Sequence, residues 1–167
     1  MKMENVVLIG MPGCGKSTVG VILAKTLGVD FIDTDLVIQK REGGLLQELL
    51  NSRGMDAFLD AESAAVRSVD CAGAVIATGG SVVYRPEAMT HLKKGGRIVY
   101  LRLPYPDMMA RLSNIKTRGI AIAPGKTMAD VYAERVPLYE KYADLTVDCA
   151  GLTVEETVTA LVDALRA

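Results

Sequence analysis

Gly10-Met11-Pro12-Gly13-Cys14-Gly15-Lys16-Ser17 lies near the N-terminus and has the spacing G-x-x-x-x-G-K-S, which is that of a phosphate-binding loop. Gly10, Gly13 and Gly15 lack a β-carbon, so the backbone there can turn sharply and let a phosphate approach. Successive N–H groups then point inward as an anion seat, and a helix starting near Lys16 adds its positive end. In this setting Lys16 is expected to contact the β- and γ-phosphates of ATP, and the Ser17 hydroxyl to contact Mg²⁺. The flanks agree with the motif. Val6-Val7-Leu8-Ile9 is an apolar, β-branched run ahead of it, and Val19, Ile22, Leu23 and Leu27 recur at helical spacing behind it.

Working outward, short apolar runs alternate with amphipathic stretches. Strands are expected at 31–32, 74–77, 97–101 and 145–147. Helices are expected at 36–41, 45–50, 55–70, 86–93, 107–115, 127–142 and 153–165, with a glycine-containing loop over 116–126. This order indicates an α/β fold with a parallel sheet covered on both faces. Ligands of such sheets sit beyond the carboxyl ends of the strands. The phosphate loop, Asp33-Thr34-Asp35 and Thr78-Gly79-Gly80-Ser81 all fall at those ends, so one crevice should collect them.

The chain has 167 residues, 50% of them apolar and 23% charged, with net charge −1. That suits a single globular domain over 1–167. There is no basic stripe to suggest nucleic acid, and no apolar run of membrane-spanning length. Cys14, Cys71 and Cys149 form no C-x-x-C pair and read as free thiols of a cytoplasmic protein. A small-molecule partner is expected, with no nucleic acid, no membrane, and a monomer as the working state.

Three groups of residues carry candidate chemistry. Asp33 and Asp35 lie two apart after a short strand, so in extended geometry they would share a face. One could help hold Mg²⁺ and the other orient, and accept a proton from, an acceptor hydroxyl; the competing reading is that Asp35 caps the next helix. Gly79 and Gly80 would expose backbone N–H groups to a substrate. Arg111, Arg118 and Arg135 suit the negative charge spread over oxygens in phosphoryl transfer, and Arg118 sits in the glycine-containing loop, where a lid over ATP would form.

Taken together, these ordered motifs resemble the shikimate kinase family over nearly the whole chain. Gly10 through Thr18 match its phosphate loop, Asp33-Thr34-Asp35 its D-T/S-D motif, and Arg135-Val136-Pro137-Leu138-Tyr139 its R-x-P-L-Y. The resemblance implies a three-layer P-loop kinase fold with a five-stranded parallel sheet in the order 2-3-1-4-5. The reaction it implies is ATP-dependent phosphorylation of the shikimate 3-hydroxyl. It also implies that Gly13, Cys14, Gly15, Lys16, Ser17, Thr18 and Arg111 hold ATP, and that Ser17 and Asp33 serve Mg²⁺. By the same resemblance Asp35 is substrate contact and base, Gly79 and Gly80 line the substrate, Arg135 binds its carboxylate, and Lys16, Asp35 and Arg118 are catalytic.

The chain departs from the family's pattern at three places. Ser81 stands where the family has a third glycine. The lid reads Arg118-Gly119-Ile120-Ala121 where the family has Arg-Pro-Leu-Leu. Leu59 occupies the position of an arginine that grips the substrate carboxylate. This last change leaves open another polyol, sugar acid or amino alcohol as acceptor, or substitution by Arg53 or Arg85. A non-catalytic nucleotide-binding module is the remaining alternative.

Overall fold

The structure is a computed structural model that describes residues 3–113 and 120–167. Its first strand, β1 (Asn5–Ile9), is the continuous apolar run ahead of the phosphate loop, and it lies at the centre of the sheet. Helix α1 (Lys16–Leu27) leads to β2 (Asp30–Asp33), followed by α2 (Thr34–Glu42), α3 (Leu46–Arg53) and α4 (Met55–Ser68). Then come β3 (Ala74–Ala77), α5 (Pro86–Gly95), β4 (Gly96–Arg102) and α6 (Tyr105–Leu112). Helix α7 (Met128–Tyr142), β5 (Leu145–Asp148) and α8 (Val154–Arg166) complete the chain. The sheet is parallel throughout and runs β2-β3-β1-β4-β5, the order implied above. Helices α1 and α8 pack together, and α4 packs against α5. The central strands are therefore buried on both faces, which is why they read as unbroken Val/Ile/Leu/Ala runs.

Register at the sheet's centre sets Val7 beside Ile76 on one side and Ile98 on the other. Thr78, just past β3, donates its hydroxyl to the Leu8 carbonyl at 2.8 Å and so fixes the carboxyl ends of β1 and β3 side by side. A second, smaller apolar cluster joins Ile38, Leu46, Leu49, Phe58, Leu59, Ala65 and Ala121. It holds α2, α3 and α4 as a shoulder beside the crevice.

The structure departs from the sequence reading in three local ways. Asp33 ends β2, but Thr34 and Asp35 are already helical, so the two carboxylates do not share an extended face. The cap of α2 is Asp33, not Asp35. Residues 51–53, expected as a break, continue α3, and Gly54 ends it. A one-turn 3₁₀ helix over Val82–Tyr84 follows the glycine pair. Helix α7 continues through Pro137. Among the described residues no helix is long and apolar enough to cross a membrane.

Candidate active site

The phosphate loop follows β1. Gly15, the residue before α1, has φ 91°, the left-handed region that glycine enters without strain. A β-carbon on Gly10 would lie 2.8 Å from the Leu101 carbonyl oxygen, so that glycine lets the loop pass over β4. Lys16 is only 5% exposed. Its Nζ donates to the carbonyls of Gly10 at 2.6 Å and Met11 at 3.0 Å and lies 3.6 Å from Cys14 Sγ, so the ammonium folds over the loop's own backbone. Arg111, on α6, approaches the Gly13 and Cys14 carbonyls with Nη1 at 3.5 and 3.4 Å. Thr18 is exposed. Arg118 lies outside the described residues.

Ser17 Oγ donates to Asp33 Oδ2 at 2.8 Å, while Asp33 Oδ1 accepts the backbone N–H of Asp35 at 2.9 Å. One carboxylate thus caps α2 and touches the phosphate loop. A hydroxyl and a carboxylate beside a phosphate seat fit Mg²⁺, a hard cation that keeps waters and binds through one or two carboxylates plus phosphates. Among the described residues there is no cluster of three or more His, Cys, Asp or Glu that could hold a metal ion.

Next to this lies an open cleft. Lys16, Ser17, Asp35, Gly79, Gly80 and Arg135 all line it. The glycine pair is there for close approach. A β-carbon on Gly79 would fall 2.9 Å from Glu62 Oε2 and 3.0 Å from Asp35 Oδ1. One on Gly80 would meet Pro12 Cδ at 2.9 Å and Arg135 Nη1 at 3.0 Å. Tyr139, one turn beyond Arg135 on α7, donates to the Gly80 carbonyl at 2.6 Å and holds this loop in place.

Arg135 is 1% exposed. Its Nε donates to Tyr84 OH at 3.2 Å, its Nη2 donates to the Ala121 carbonyl, and the guanidinium sits 5.2 Å from the Tyr84 ring centroid. Nη1 lies beside Gly80, 3.0 Å from where a β-carbon there would sit, and Arg135 is part of the cleft lining. Leu59 is 5% exposed and belongs to the small apolar cluster. Neither Arg53 nor Arg85 takes the missing arginine's place. Arg53 pairs with Glu42 at 2.6 Å, and Arg85 with Asp60 at 3.0 Å, both away from the cleft lining.

Sequence reasoning assigned no role to Glu62. It is 2% exposed, and Ser81 Oγ donates to its Oε1 at 2.8 Å. Burial pushes its carboxyl up to about 7; the Ser81 hydrogen bond pulls the other way, and Asp35 adds to the rise. An acid amid the apolar positions Phe58, Leu59, Ala65 and Val66 of α4 was the available signal. Because the folded state holds this proton more tightly than the unfolded chain, the contribution of Glu62 to stability is fully present below about 4.5 and is lost as pH rises to about 7. Glu62→Gln should therefore gain roughly 2–3 kcal/mol over the wild type between about pH 5 and pH 8. Urea unfolding at the two pH values measures it; parallel changes in both proteins would mean that Glu62 is already charged when folded.

A family model described as "Shikimate kinase" matches residues 12–166. The chain belongs to the shikimate kinase family. The shikimate kinase of Thermodesulfovibrio yellowstonii is 39% identical over 163 residues, covering 96% of this chain and 94% of that one. Human threonine synthase-like 1 is 36% identical over 166 residues, 98% of this chain but only 22% of that larger protein. Among solved structures, shikimate kinase from Acinetobacter baumannii in complex with shikimate superposes with a TM-score of 0.88 at 26% identity, covering 98% of this chain and 93% of the other. As a shikimate kinase family member the chain is a small-molecule kinase, one that transfers phosphate to a hydroxyl. The matches weigh against another acceptor and against a non-catalytic module.

Proposed function

We propose that this chain transfers the γ-phosphoryl group of ATP to a hydroxyl of shikimate, with Mg²⁺ held near Ser17 and Asp33. The observation that carries this reading is that Lys16 and Asp35 line one cleft with Arg135. Main-chain amides of the loop and the α1 N-terminus bind the triphosphate. Lys16 leaves the Gly10 and Met11 carbonyls to follow charge on the transferring group. Mg²⁺ bound near Ser17 and Asp33 would supply charge neutralisation for the phosphates. Asp35 orients the acceptor hydroxyl and receives its proton, and Arg135 Nη1 fixes the acceptor's carboxylate. Arg111 supports the loop's nucleotide side, and Arg118 is assigned the lid contact on ATP. A monomer is the working state of this reading. With Mg-ATP, release of ADP should depend on added shikimate and stop when EDTA removes the metal. ADP release that ignores shikimate would reject shikimate as acceptor.

A further inference from the structure

The acceptor side of the cleft has an unusual charge balance. Two acids face it, Asp35 from α2 and Glu62 from α4; the cations facing Glu62 are Lys16 from α1 and Arg135 from α7. Lys16 is the residue that the triphosphate recruits, which leaves Arg135 for the acceptor among the described residues. A carboxylate-bearing acceptor thus brings a third negative charge to a single guanidinium. The position where the family places a second arginine holds Leu59, packed among Ile38, Leu46, Leu49 and Phe58. Two like charges brought together in a buried site are relieved by protonating one of them.

Glu62 is placed for that role. Oε1 is held by Ser81, a residue that is itself a departure from the family's third glycine. Oε2 lies at the cleft wall, 2.9 Å from where a β-carbon on Gly79 would sit, and the charge of Asp35 acts on the same carboxyl. We infer that Glu62 takes up a proton from solvent when the acceptor's carboxylate binds, and returns it when product leaves. The proton then supplies the charge neutralisation that Leu59 removed, and Ser81 tunes the carboxyl so that uptake falls near neutrality. The inference rests on shikimate, or an acid of its kind, being the acceptor. Burial already holds Glu62 at about 7 without an acceptor, and an approaching anion drives it further in the same direction.

Titration calorimetry with shikimate alone tests this on the full chain, in two buffers of different ionisation enthalpy. The wild type should take up about half a proton per acceptor near pH 7, and its Kd should rise about tenfold between pH 6 and pH 8. In Glu62→Gln both effects should vanish. Ser81→Gly, which removes the hydrogen bond that favours the charged form, should move the inflection to higher pH. Leu59→Arg should reduce the uptake by restoring a cation, and these two variants decide the matter should Glu62→Gln fail to fold. Shikimate binding with no proton uptake and a flat Kd overturns the inference and leaves the kinase reading standing, as does uptake that persists in Glu62→Gln. No shikimate binding by the wild type at any pH overturns both.

Discussion

Lys16→Met should lower kcat by about 10³-fold while ATP affinity falls far less, roughly tenfold. The expectation follows from where the charge is needed. Main-chain N–H groups of the loop and α1 serve the ground-state triphosphate whether or not residue 16 is charged. The ammonium matters most as charge moves onto the transferring oxygens, so its loss belongs mainly to kcat. The same substitution has a structural cost. Lys16 Nζ now satisfies the Gly10 and Met11 carbonyls at 2.6 and 3.0 Å, and leaving buried acceptors unpaired costs about 1–3 kcal/mol. Turnover, nucleotide Kd by fluorescent-analogue displacement and Tm should therefore be measured together. A fall in ATP affinity as large as the fall in kcat would assign Lys16 to binding alone.

Asp35→Asn should lower kcat by about 10²–10⁴-fold, the range for removing a positioned general base. The change is nearly isosteric. The backbone N–H of Asp35, which Asp33 accepts at 2.9 Å, is unaffected, so α2 keeps its cap. Asp33 also keeps its contact with Ser17 at 2.8 Å, so the metal side of the cleft stays intact. The loss should fall on turnover with shikimate and spare ATP binding. Residual activity within a few-fold of wild type would mean that the hydroxyl proton leaves by another route.

The sheet was legible in the sequence because its central strands are buried on both faces. Val7 to Ile9 and Ala74 to Ala77 are buried throughout and read as strands once turn residues bound them. The phosphate loop was equally plain, since its glycines answer to backbone geometry and its Lys-Ser pair to a charged ligand. The Asp33–Asp35 pair was read correctly for place but not for local form. The Asp33 cap draws Thr34 and Asp35 into helix, a competition between capping and strand continuation that spacing alone does not decide. Glu62 was missed although its place among the apolar positions of α4 hinted at burial; its contact with Ser81, some twenty residues on in the chain, is tertiary and has no local signal. The fate of Leu59 was also tertiary: it packs in the apolar cluster, and the ion pairs of Arg53 with Glu42 and of Arg85 with Asp60 show that neither has taken over the arginine's place.

Phosphorus NMR of the wild-type protein with Mg-ATP and shikimate tests the phosphotransfer most directly. A phosphomonoester resonance should grow in step with the loss of the ATP γ-signal, split by the proton on the ring carbon that bears the new phosphate. Loss of the γ-signal into inorganic phosphate alone, with no phosphomonoester formed, would contradict the assignment of Asp35 as the group that aims an acceptor hydroxyl at ATP.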